Sequence, residues 1–115
     1  MDIKRIGFTN LELAVADWLD RHGFKGLWDP QEKLRGGRME KGGAVVDFVI
    51  RSRMLILRVM GQYWHRGLEQ NARDLLQRQL LEADGFRVVD ILESNLTSER
   101  IDSTMRLAIQ GKEVF

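Results

Sequence analysis

The sequence has no cysteine, only one proline and only two histidines. Without cysteine the chain forms neither a disulfide nor a zinc site with thiolate ligands, and a zinc site on His22 and His65 would also need carboxylates. No apolar run approaches the ~20 residues of a membrane-spanning helix. The opening residues, MDIKRIGFTN, lack the apolar centre of a signal peptide. These absences predict an intracellular, cytoplasmic protein that uses no zinc and has no membrane partner.

The length and composition are those of one globular domain. The chain has 115 residues, of which 43% are hydrophobic and 30% are charged. That balance is typical of a folded chain and differs from that of a disordered one. Since the sequence has no internal repeat and no linker, we expect residues 1–115 to form a single domain.

Positive charge is concentrated in the middle of the chain, although the net charge is only +1. Residues 33–66 contain eight basic and two acidic residues, a net of +6, whereas the remaining residues contain ten basic and fifteen acidic ones. This asymmetry is typical of a surface that binds a polyanion, and a solvated basic surface without a partner would show it equally. Residues 31–43 are polar with two Gly-Gly pairs, which predicts a loop or a loosely paired edge strand. The basic residues there that we expect to contact nucleic acid are Arg35, Arg38 and Lys41.

Two apolar runs in this basic region predict an antiparallel hairpin. Ala44–Ile50 and Met54–Met60 have strand length, and the polar stretch between them suits a tight turn. Asp47 lies inside the first run, where a carboxylate is costly to bury unless it is paired, hydrogen-bonded or bound to a metal. The second run leads into Gly-Gln-Tyr-Trp and His65. An acid in one strand and a histidine after its neighbour suit a metal-dependent nuclease, but an Asp47–Arg58 ion pair and an ordinary loop histidine fit the same residues.

Helical periodicity surrounds this hairpin. Thr9 and Glu12 form a capping box, which predicts a helix from about Asn10 to His22 that ends at Gly23. Phe24–Trp28 is a candidate short strand, and Trp18 and Trp28 are expected in the core. Further along, a stripe at helical spacing predicts a second helix that ends at Gly85, and its residues are Leu68, Ala72, Leu75, Leu76, Leu80 and Ala83.

A third strand and a third helix complete the predicted order. Phe86–Ile91 should return to the sheet and pair in parallel, because a helix connects it to the preceding strand. Thr97 or Ser98 is the expected cap of a final helix that ends near Gly111. The predicted fold is therefore one mixed sheet with the order α-β-β-β-α-β-α.

Four pieces of the chain, in the same order, resemble the very-short-patch-repair endonucleases, a branch of the restriction-endonuclease-like superfamily. These pieces are T-x-x-E ending at Glu12, VDFVI around Asp47, LRVMGQYWH at 57–65, and NARD at 71–74 followed by GFRVV at 85–89. The similarity extends from about Thr9 to Glu93. It implies an α/β fold of the restriction-endonuclease-like, PD-(D/E)XK type, with a mixed sheet flanked by helices.

The resemblance also implies roles at a catalytic site. Asp47 would be a ligand of Mg²⁺, with Mn²⁺ as a substitute, and the backbone carbonyl of Val59 would supply a second oxygen. His65 would activate water or assist the leaving group. Glu12 would orient the water shell or His65, although its capping box already explains it. Asp74 would orient His65, although an ion pair with Arg78 is the simpler account.

The same resemblance implies contacts with DNA. Arg73 would contact the scissile phosphate, because arginine binds phosphate with a planar fork, although a pair with Glu69 is equally consistent. Tyr63 and Trp64 correspond to aromatic residues that wedge into the base stack, and the alternative is that Trp64 fills the core.

Three positions depart from the family pattern. Met60 replaces a second histidine, Arg58 lies where many related nucleases have a metal-binding acid, and Val46 replaces a proline before the aspartate. A related group of phage homing endonucleases keeps Glu, Asp, a variable position, His and Asp, an order matched here by Glu12, Asp47, Met60, His65 and Asp74. We expect a Mg²⁺-dependent DNA endonuclease that hydrolyses phosphodiester bonds. The alternatives are a non-catalytic nucleic-acid-binding module or an accessory subunit on the same fold, and the sequence leaves open a homodimer or a partner protein.

Overall fold

The structure is a computed structural model that describes residues 5, 7–30, 45–60 and 68–113, without the side chains of residues 45–47, 68–71, 73 and 74. Within these ranges three helices and four strands follow one another in the predicted order. They are α1 (Asn10–Leu19), β1 (Asp29–Pro30), β2 (Val45–Ile50), β3 (Leu55–Met60), α2 (Leu68–Ala83), β4 (Arg87–Leu92) and α3 (Ile101–Ala108). None of the described helices is long and apolar enough to cross a membrane.

The four strands form one mixed sheet in the order β1-β2-β3-β4. β2 pairs antiparallel with β1 and with β3, whereas β4 lies parallel to β3. The predicted hairpin and the predicted parallel return are thus both confirmed. The physical reason is chain length: a tight turn reverses direction between β2 and β3, and the 16-residue α2 carries the chain back to the starting edge of β3.

The two faces of the sheet bury different amounts of apolar surface. The larger core lies on the side of α1 and α3, where residues such as Phe48, Leu57 and Ile91 pack with Trp18 and Trp28. The smaller core is on the side of α2 and consists of Val49, Ile56, Leu81 and Val88, with Phe86 packed against it. Both tryptophans are buried, as predicted.

Helix α1 begins as the sequence predicts and ends earlier. The Thr9 amide donates to Glu12 Oε1 at 2.8 Å, and the Glu12 amide donates to Thr9 Oγ1 at 3.3 Å, so the capping box is confirmed. After Leu19 the chain widens into a π-helical turn over Asp20–Phe24, in which Gly23 has a φ of 93°.

The predicted strand at Phe24–Trp28 is wrong. These residues form a turn, and the strand that pairs with β2 begins at Asp29. The left-handed backbone of Gly26, with a φ of 76°, is incompatible with an extended strand. The indole of Trp28 instead donates to Asp20 Oδ1 at 2.8 Å, which ties the end of this turn to the π-helical segment.

Helix α3 begins later than its predicted cap. The carbonyl of Thr97, rather than a side chain, accepts hydrogen bonds from the amides of Arg100 and Ile101 at 3.0 and 2.8 Å. The N-cap position is Arg100, and it makes no side-chain capping bond. The helix is followed by Gly111 with a φ of 77°, so the predicted termination near this glycine is confirmed.

Candidate functional site

The predicted catalytic residues are divided between the described and undescribed parts of the chain. Asp47 lies on β2, Val59 on β3 and Glu12 on α1, while Arg73 and Asp74 lie on α2, in each case at the predicted element. Of the side chains in this group, the structure describes those of Glu12 and Val59. The remaining predicted contacts lie outside the described residues, namely His65, Tyr63, Trp64, Arg35, Arg38 and Lys41.

The backbone register places Asp47 directly opposite Arg58. On its other side, Arg58 is in register with Asp90 of β4. The positions of an acid, a base and an acid thus form one row across three adjacent strands. Val59, 3% exposed, is the next residue on β3 and is in register with Val46. The hairpin therefore brings the two predicted oxygen donors of the metal, Asp47 and the Val59 carbonyl, to neighbouring rows of the sheet.

Arg58 is buried on β3 and held by a fully directed set of contacts. Its side chain is 2% exposed, its Nε donates to Asp90 Oδ1 at 2.6 Å and its Nη2 donates to Asp90 Oδ2 at 3.1 Å. Its Nη1 donates to Gln77 Oε1 of α2 at 3.1 Å. A bidentate arginine–carboxylate pair is the strongest type of side-chain hydrogen bond, so this contact fixes the guanidinium on the α2 side of the sheet.

The carboxylate of Asp90 is shared by a second arginine. Arg78 of α2 donates to Asp90 Oδ2 at 3.1 Å and to Glu113 Oε1 at 2.7 Å. Burial opposes the charge on Arg78, but the hydrogen bond to Glu113 and the charge of Asp90 outweigh it and raise the pKa of the guanidinium. Asp90 therefore acts as an acceptor for two permanent cations, and its oxygens are engaged in this cluster.

Asp90 and Gln77 are the members of this cluster that the sequence analysis missed. The signal was present, because an acid within the apolar run of β4 has the same burial problem as Asp47 within β2. The missing information was the parallel register, which determines that Asp90 and Arg58 are neighbours.

Glu12 is the predicted site residue whose environment the structure describes most fully. It is 4% exposed, and its carboxylate accepts the hydrogen bond from the Thr9 amide. Burial raises the pKa of Glu12, and the hydrogen bonds from Thr9 oppose that shift. A buried carboxyl group with a raised pKa is a common feature of catalytic sites and is also what a buried cap produces.

The described residues contain no cluster of three or more histidine, cysteine, aspartate or glutamate side chains that could hold a metal ion. The carboxylate of Asp47 and the ring of His65 lie outside that search. The arrangement predicted for them consequently stays a prediction.

Comparison with known proteins gives no match to the chain, whether the comparison is made with protein-family models, with curated proteins or with solved structures.

Proposed function

We propose that the chain is a Mg²⁺-dependent DNA endonuclease on a restriction-endonuclease-like fold, related to the very-short-patch-repair enzymes. The observation that carries the proposal is the position of Asp47 in the sheet. This acid lies within an apolar strand, one row away from Val59, in a mixed sheet of the order that the resemblance implies. An acid in such a strand needs a compensating charge, and a divalent cation is one that gives the position a function.

The types of donor atom support Mg²⁺ rather than a softer metal. A carboxylate and a backbone carbonyl are both oxygen ligands, and Mg²⁺ keeps several waters when few protein ligands are present. When bound, the ion would polarise a phosphate of the DNA backbone. In this proposal His65 moves a proton to or from the reacting oxygens, and Arg73 binds the phosphate.

Arg58 is the observation that favours a second candidate, a non-catalytic nucleic-acid-binding module. Its guanidinium lies in the row of Asp47, where related nucleases have a second acid, and repulsion between this cation and a metal would weaken metal binding. The bidentate contact with Asp90 offsets part of this charge. The distinction between the two candidates therefore depends on whether Asp47 responds to a divalent cation or only to Arg58.

The test is cleavage of supercoiled plasmid in Mg²⁺ or Mn²⁺, combined with thermal melting of the same proteins with and without metal. Wild type should nick the plasmid and melt at a higher temperature with metal, by mass action. Asp47→Asn should lose both effects, because the substitution keeps the shape and removes the charge. His65→Ala should slow cleavage by about a hundred- to ten-thousand-fold and keep most of the metal-induced stabilisation.

A matched control is Asp17→Asn, which makes the same substitution in an exposed ion pair with Arg5 on α1. It should leave both readouts unchanged. Wild type that binds DNA but cleaves no plasmid form with either metal would favour the binding module. Equal stabilisation of wild type and Asp47→Asn by Mg²⁺ would remove Asp47 from the metal site.

A further inference from the structure

Helix α2 presents its most apolar face to solvent. Leu75, Leu76 and Leu80 have exposed fractions of 57%, 55% and 40%, and Ala72 and Ala83 are exposed on the same side. The opposite side, which meets the sheet, uses Gln77 and Arg78 for polar contacts and Leu81 for the small core. A helix normally buries its apolar stripe, so an outward one indicates a contact that the isolated chain does not make.

The order of residues along this stripe is almost the same in both directions. From the N-terminal end it contains Ala72, Leu75, Leu76, Gln79, Leu80 and Ala83. Reversal about the midpoint between Gln77 and Arg78 exchanges the two alanines with each other, and it exchanges Leu75 with Leu80. The one mismatch is Leu76 with Gln79. A surface with this property is complementary to a second copy of itself turned end to end, which is the requirement of a two-fold symmetric interface.

Charge follows the same reversal. Glu82 is exposed near the C-terminal end of α2, and the last turn of this helix has no basic residue to balance the helix dipole. The reversal pairs position 82 with position 73, an arginine. In an antiparallel pair, each acidic helix end would lie beside the positive N-terminal half of its partner, whereas a parallel pair would bring the two acidic ends together.

We propose that α2 is the contact surface of a homodimer, in which two copies of the helix pack antiparallel through this stripe. Ala72 of each copy faces Ala83 of the other, and the small side chains let the helices approach closely at both ends. Leu75 of each copy faces Leu80 of the other. This proposal does not depend on nuclease activity, since it rests on α2 alone.

The size of the stripe predicts a weak dimer. A helix of 16 residues is about 24 Å long, and one face of it is smaller than the roughly 800 Å² per partner of a standard stable interface. We expect a dissociation constant on the order of 10–1,000 µM. Sedimentation velocity across that concentration range should show the mass rising from that of a monomer toward that of a dimer.

Charged substitutions test the surface. Leu75→Glu and Leu80→Glu should each weaken association at least about tenfold, because each would bury two carboxylates in the interface. Leu107→Glu is the matched control: this leucine of α3 is 41% exposed, close to the 40% of Leu80, and it lies outside the stripe. It should leave association unchanged.

Cysteine pairing tests the orientation, and the absence of native cysteine makes the result specific. Ala72→Cys and Ala83→Cys proteins are mixed and oxidised. The antiparallel pair predicts a mixed 72–83 disulfide, because those positions lie at the same height. Two copies of position 72 would be about 16 Å apart along the axis, far beyond the roughly 4.4–6.8 Å that a disulfide spans.

Several results would overturn the proposal. A wild type that stays monomeric at about 1 mM would show that no second copy binds at these concentrations. Equal weakening by the Leu107→Glu control, or association that persists in both stripe variants, would place the contact elsewhere. Preferential formation of 72–72 and 83–83 disulfides would indicate a parallel pair. A monomeric wild type that loses folding stability on Leu75→Glu would mean that the chain itself covers the stripe.

Discussion

Arg58 is a buried guanidinium on an interior strand of the sheet, and such a group is tolerated only when its donors find acceptors. Asp90 and Gln77 supply three of those contacts. The sequence presents Arg58 as a departure from a nuclease pattern. The structure gives it a positive role, since it joins β3, β4 and α2 on the side of the sheet that has the smaller apolar core.

Arg58→Met should destabilise the fold, because it leaves the carboxylate of Asp90 with Arg78 as its remaining described partner. Breaking a buried pair from one side costs about 3–5 kcal/mol, so urea denaturation should show a loss of that order. The double variant with Asp90→Asn removes both charges and should cost less than the sum of the two single changes. Strict additivity would show that the two residues contribute independently.

Glu12→Gln should reveal the cost of a buried charge. Burial raises the folded-state pKa of Glu12, so the folded chain holds this proton more tightly than the unfolded chain does. Wild-type stability relative to the variant should therefore fall as pH rises from the ordinary glutamate value through the raised one. Unfolding free energies of both proteins at about pH 4 and about pH 7.5 would measure the change.

Glu99 offers a control of opposite sign. Hydrogen bonds from its own backbone amide and from Ser98 lower the pKa of this exposed group. Relative to Glu99→Gln, wild type should gain stability as pH rises through the lowered value. A Glu12→Gln difference that is constant with pH would mean that burial does not perturb this carboxyl.

At the scale of elements, the turn of the hairpin contains the one non-glycine residue with a positive φ in the described part of the chain. Met54 has a φ of 50° and a ψ of 45°, and it follows the 3₁₀ turn Arg51–Arg53. This left-handed conformation costs a non-glycine residue about 1–2 kcal/mol. The cost is met because the turn sets the register of β2 against β3, which has apolar partners on both faces.

Met54→Gly should therefore stabilise the hairpin modestly. Relief of the left-handed strain exceeds the extra chain entropy of glycine by up to about 1 kcal/mol. Met54→Val should destabilise, since a β-branched residue tolerates a positive φ least well. Chemical denaturation of the three proteins would show the order glycine, methionine, valine, and any other order would contradict the strain argument.

At the scale of the whole molecule, the concentration of positive charge in residues 33–66 has a measurable consequence. If this segment binds DNA, each phosphate contact releases counterions, and affinity falls steeply with salt. The triple variant of Arg35, Arg38 and Lys41 to alanine should bind DNA more weakly and should flatten the plot of log affinity against log salt, by roughly one unit of slope for each lost contact. An unchanged slope would show that the loop is only a solvated surface.

The sequence by itself determined most of the element order, and the reason is that the signals are local. The capping box of Thr9 and Glu12, the two apolar runs around the turn, and the periodicity of α2 each require only neighbouring residues. The element prediction that failed, the strand at 24–28, failed at Gly26, whose left-handed backbone leaves no mark in a hydrophobicity pattern.

Only the tertiary structure decided which of these elements face each other. It placed Arg58 between the positions of Asp47 and Asp90, because strand register is a long-range property that pairs residues far apart in sequence. It also turned the leucines of α2 toward solvent, because the polar side of that helix satisfies Arg58 and Asp90 on the sheet. Periodicity predicts that a helix has an apolar face, whereas the surface against which that face packs depends on the whole chain and its partners.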